Sequence, residues 1–170
     1  MENKGFIKRI GDFGFSKMIL SPDTFIAIIT FFIIYIFTKG IIEINTAKTI
    51  LQIFIQVTAS LFAIVLAGLA IVTSFTDKEF VYMWKKAGQF DNMITLFQYN
   101  LFTPIFVLLF SLFLSFVYYN SILMIVAVSL FMYMIFSLID LINFICKYGL
   151  QRGEFVKNYI ELKQENKKKN

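Results

Sequence analysis

The chain has 170 residues, 58% of them apolar and 18% aromatic, with 16 Lys and Arg against 11 Asp and Glu and a mean hydropathy of +0.73. Its 22 phenylalanines and long apolar runs exceed what a soluble domain of this size can hide from water, so lipid has to cover the excess. There is no histidine and one cysteine, Cys146, which excludes a zinc ligand set, a disulfide and Ser/His or Cys/His nucleophile pairs within one chain. No catalytic, metal or cofactor site is expected.

Residues Met1 to Leu20 mix Lys4, Lys8, Arg9 and Lys17 with Phe6, Ile7, Ile10, Phe13 and Phe15, as in a segment lying in the headgroup region with its cations outward. The apolar run that follows continues in bulky Ile and Phe without a small-residue cleavage site, which argues against a secretory signal. A first span is expected from about Thr24 to Thr38, extending at most to Ile44. Ser21-Pro22-Asp23 supplies its start, and Lys39 and Gly40 mark its far end. The second span, Thr49 to Phe75, carries no formal charge and at about 1.5 Å per residue exceeds the hydrocarbon thickness of about 30 Å.

Thr76-Asp77-Lys78-Glu79 fits a capping box and predicts a new helix over 76–88. Phe80, Val81 and Trp84 fall on one side of it, with Lys85 and Lys86 beside the tryptophan, as on an amphipathic helix at the inner membrane surface. A third span is expected from about Leu101 to Tyr119, with Pro104 in its first turn. Asn120-Ser121 then leaves almost no connection to a fourth span, Ile122 to Cys146, which makes an antiparallel hairpin. Residues 147–170 form a basic tail in which Phe155, Val156, Tyr159, Ile160 and Leu162 suit a short amphipathic helix. All the Lys and Arg residues except Lys39 and Lys48 fall on one side of this plan. The positive-inside bias therefore puts both termini in the cytoplasm of a bacterial inner-membrane, multi-pass, all-α protein with four transmembrane helices.

The second span holds the most informative pattern. Thr49, Gln52, Gln56, Ala59, Ala63, Ala67, Ala70 and Ser74 recur at spacings of three and four and make one continuous small or polar stripe, which marks the helix as interior or central. Small residues and glutamines serve close helix packing, with amides bonding across the contact. They equally suit the wall of an axial path surrounded by four or five copies of the chain, with Gln52 and Gln56 as polar rings near its outer end.

In the fourth span, Ser129, Tyr133, Ser137 and Asp140 share a face. Asp140 is the intramembrane acidic candidate, either an interfacial carboxylate reaching water or part of an acidic ring at an inner vestibule, with Thr73 and Ser74 as expected neighbours. Ser111, Ser115 and Tyr118 in span three read as packing contacts. Lys163, Lys167, Lys168 and Lys169 suit anionic lipid and topology determination, and more weakly a cytoplasmic protein or oligonucleotide regulator. Phe155, Tyr159 and Leu162 would let the tails pack as a small cytoplasmic bundle.

The stretch Ala59 to Phe80, ASLFAIVLAGLAIVTSFTDKEF, together with the overall helix plan, resembles short membrane proteins associated with bacterial antiphage defence. They include the four-helix effectors of nucleotide-signalling systems such as the Hailong system. The resemblance implies an oligomeric membrane protein that opens a conductance or disrupts the membrane during infection, its state set by a soluble partner or a nucleotide. No gating or ligand residue carries over from it. The sequence thus leads to a homo-oligomeric channel or pore-forming effector gated from the cytoplasmic side. The competing expectations are a non-conducting sensor or scaffold that recruits a cytoplasmic effector, and a small transporter accessory subunit.

Overall fold

The computed structural model describes residues 21–74, 78–117 and 119–169, with side chains through residue 161. The segment 1–20, Thr76 and Asp77 of the expected capping box, and Tyr118 lie outside the described residues. Ser21 opens the first helix, α1 (Pro22–Thr38), in extended geometry, its hydroxyl accepting the Thr24 N–H at 3.4 Å with proline next to it. Lys39 and Gly40 close it with positive φ angles of 52° and 73°, and the Gly40 N–H returns to the Tyr35 carbonyl at 3.1 Å. The helix therefore stops at Thr38 and does not run on to Ile44.

The second helix, α2 (Ile44–Ser74), starts about one turn before the expected Thr49. The third, α3 (Lys78–Lys86), is followed by a turn at Gly88, whose φ of 69° leads the chain directly into α4 (Gln89–Phe116). The early start of α4 is a correction: the helix begins at Gln89 instead of Leu101, so Pro104 sits inside it and not in its first turn. The helix runs on although the proline has no N–H to offer the Asn100 carbonyl four residues back. Thr103 Oγ1 donates to Tyr99 O at 3.0 Å, and Asn100 Nδ2 to Leu96 O at 3.0 Å.

Asn120 then caps the fifth helix, α5 (Ser121–Lys169), its carboxamide oxygen accepting from Ile122 N at 2.8 Å. The hairpin at Asn120-Ser121 is as expected, but span four and the tail are one unbroken helix instead of a span and a separate short segment. Its 49 residues measure about 74 Å, more than twice a bilayer's hydrocarbon thickness, so it has to project from the membrane. Three helices, α2, α4 and α5, are long and apolar enough to cross a membrane, and α1 is a shorter apolar helix of 17 residues.

Packing runs in the order α1 on α5, α5 on α4, and α4 on α2, with a smaller contact between α2 and α5. Within the protomer α2 is therefore an edge helix, not the interior one its pattern suggested. One hydrophobic cluster near the hairpin joins Ala47 and Leu51 of α2 to Leu114, Met124 and Ala127. There Tyr119 Oη donates to the Ile42 carbonyl, and Ile42 N donates to Ser121 Oγ at 3.3 Å. The other cluster fills the rest of the bundle and ends in an aromatic knot. Phe80 and Trp84 of α3 are buried there against Tyr148, with Trp84 4.7 Å and Phe80 5.5 Å from its ring. The apolar side of α3 thus docks on protein, where a lipid surface was expected.

Candidate functional site

The packed side of α2 repeats every seven residues. Leu51, Thr58, Val65 and Val72 are buried, with Phe54 between them stacked on Phe131 of α5 at 4.1 Å. A seven-residue repeat is the seam of helix pairing. On a helical wheel the stripe residues fall on the back of that seam. Thr49, Gln52, Gln56, Ala59, Ala63, Ala67, Ala70 and Ser74 are all exposed on the protomer. No helix among the described residues covers them.

The hydroxyls of this face turn back onto their own helix. Thr49 Oγ1 donates to Asn45 O at 3.1 Å, Ser60 Oγ to Gln56 O at 3.1 Å, and Ser74 Oγ to Ile71 O at 2.9 Å. Neither Gln52 nor Gln56 has a side-chain hydrogen bond among the described residues. Gln56 stands about 18 Å along α2 from Ile44 and about 27 Å from Ser74, well inside a hydrocarbon layer of about 30 Å centred on the helix. A carboxamide left unpaired in hydrocarbon costs on the order of 4–8 kcal/mol. That cost requires water or another protein surface at this face.

A second polar region joins α4 to α5. Tyr99 and Tyr133 share a hydroxyl–hydroxyl hydrogen bond, and Ser137 Oγ donates to Asn100 Oδ1 at 3.0 Å with both residues buried. Ser129, the third polar residue on this face of α5, donates to Ile125 O at 2.9 Å. The face therefore holds α5 to α4. Asp140, further along, is exposed, and the group within electrostatic reach of it is Asp23 of α1. Thr73 and Ser74, its expected neighbours, bond carbonyls of α2.

Asp23 is the residue the sequence reading passed over. It is 9% exposed, the single buried residue of α1, and has no hydrogen bond or ion pair among the described residues. Ser21 already supplies the helix cap, so Asp23 is not needed for that purpose. Its position in a first helical turn, where acidic residues are ordinary, concealed it. The two carboxyl groups lie within electrostatic reach of each other across α1 and α5, one buried and one open.

Beyond the membrane-length part of α5, Phe155 packs on Phe80 with ring centroids 5.4 Å apart and stacks on Tyr159 at 6.2 Å. Phe155 is therefore engaged within the protomer. Tyr159 and Ile160 remain exposed, and the side chains of Lys163, Lys167, Lys168 and Lys169 lie outside the described residues. Comparison with protein-family models, with curated proteins and with solved structures finds no match to this chain.

Proposed function

We propose that the chain is a homo-oligomeric channel or pore-forming effector of a bacterial inner membrane, with α1 as a fourth span and both termini cytoplasmic. The observation that carries the proposal is the open back of α2: eight small or polar residues in one line, two of them glutamines without a side-chain hydrogen bond among the described residues, on an edge helix. Four or five copies arranged about an axis would bring these faces together around water. Gln52 and Gln56 would then ring the outer part of the path, with alanines lining the inner part. α1, at about 26 Å, reaches across a thinned or locally adapted bilayer.

Gating from the cytoplasmic side fits the shape of α5. A protein or oligonucleotide engaging the tail would act on a single rod continuous with span four, which bonds α4, and α4 in turn carries α2. A role in antiphage defence follows the resemblance at Ala59 to Phe80. Conductance of the purified chain in planar bilayers tests the proposal. Discrete currents are expected, with altered conductance in Gln56→Leu and altered cation preference in Asp140→Asn. A silent bilayer at verified insertion would leave a non-conducting scaffold instead.

A further inference from the structure

Of the two faces of α3, one is packed and the other is open among the described residues. Phe80 and Trp84 are buried against α5, and on a helical wheel Tyr82 falls on the opposite side, with Lys78, Lys85 and Lys86 within about 60° of it. Tyr82 is 73% exposed and the three lysines are exposed as well. Their ammonium groups have no ion pair or hydrogen bond among the described residues. Glu79, at the edge of this face, leaves it positive.

The height of α3 is set by its packing. With the hairpin at Asn120-Ser121 on one membrane surface, α5 covers a hydrocarbon thickness of about 30 Å by Asp140, and Tyr148 lies about 12 Å farther along. Trp84 packs on that tyrosine with ring centroids 4.7 Å apart, so α3 sits where headgroups meet water, on the side from which α5 projects. Short connections hold it there, because α2 ends at Ser74 and α4 begins at Gln89.

We infer that the outer face of α3 lies on the anionic headgroups of the membrane that holds the bundle, with Lys78, Lys85 and Lys86 toward lipid phosphates and Tyr82 between them. Lysine ammonium groups act as point charges, so a charged plane satisfies them without fixed geometry. The attraction reaches over a Debye length of about 8 Å, comparable with a headgroup layer. A tyrosine at the centre suits that layer, its ring among headgroups and its hydroxyl in water. A soluble polyanion is the other occupant with matching charge. Discrete phosphates are held by arginine forks, glycine-rich cradles or carboxamides, and α3 contains none of these. The inference rests on the membrane-spanning reading of the bundle and holds whether or not the chain conducts.

The test uses the full chain carrying Tyr82→Cys in a Cys146→Ser background, spin-labelled and reconstituted into vesicles of phosphatidylcholine alone or mixed equally with phosphatidylglycerol. Flotation and carbonate resistance report insertion, and helix content reports folding. Accessibility of the label to a neutral, water-soluble nickel chelate is expected to fall about three-fold when phosphatidylglycerol is present, and to recover in about 1 M salt, where the Debye length shrinks to about 3 Å. Lys78→Gln, Lys85→Gln and Lys86→Gln combined should abolish the fall, and Lys78→Arg, Lys85→Arg and Lys86→Arg combined should preserve it. Equal accessibility in the two kinds of vesicle would overturn the inference, as would an undiminished fall in the folded triple glutamine variant. Protection by added inorganic polyphosphate, with none from phosphatidylglycerol, would assign the face to a soluble polyanion instead. Failure of the chain to insert would overturn the membrane reading and this inference with it.

Discussion

The two sides of α2 have the same backbone and opposite surroundings. On one side Leu51, Phe54, Thr58, Val65 and Val72 meet α4 and α5, and burial there is near complete, Thr58 reaching 0% exposure. On the other side alanines, hydroxyls and two glutamines face outward with none of the described residues over them. Large side chains on the first side fix how the protomer folds. Small ones on the second leave its fold nearly indifferent to what stands there, so contacts among the described residues do not account for their regular spacing.

The contrast predicts different consequences for substitutions only a few residues apart. The largest effect belongs to Phe54→Ala, which removes the ring stacked on Phe131 and should destabilise the protomer by about 3 kcal/mol, read as earlier unfolding in mixed-detergent titration. Ala67→Phe on the open side should leave that unfolding curve in place. It should weaken subunit association about ten-fold in analytical ultracentrifugation, because the ring obstructs the face between copies. The smallest effect is expected from Thr58→Val. The Thr58 hydroxyl is buried without a partner among the described residues, and replacing it with a methyl should stabilise the protomer by about 1 kcal/mol in the same titration. A loss of stability there would mean that the hydroxyl is bonded across a subunit contact, which would blur the division between the two sides.

Much of the architecture could be read from the chain because apolar runs and helix ends are local properties. Lys39-Gly40 ends α1 through its own backbone geometry, and the two residues at Asn120-Ser121 leave room for nothing but a hairpin. The beginning of α4 was hidden for the converse reason. Gln89, Asp91, Asn92, Gln98 and Asn100 lower hydropathy without breaking a helix, while Gly88, the true boundary, is a single residue with positive φ. Gly149 and Gly153 do not interrupt α5, since glycine is permitted in a helix whose apolar neighbours, Tyr148 and Phe155, are packed. The seven-residue seam of α2 is present in the sequence as Leu51, Thr58, Val65 and Val72, with the small and polar stripe behind it. Which helices pair is a tertiary fact. No spacing announces that α1 lies on α5, and so the electrostatic reach between Asp23 and Asp140 could not be seen.

The decisive question is what covers the open face of α2 in the membrane. Ala63→Cys, made in a Cys146→Ser background and oxidised in intact membranes, answers it. A disulfide-linked dimer should form efficiently at Ala63, while a cysteine at the outward-facing Ile29 of α1 should stay monomeric. A residue-63 cysteine that crosslinks no better than the one at residue 29 would mean that this face meets lipid and would contradict an assembly built around it.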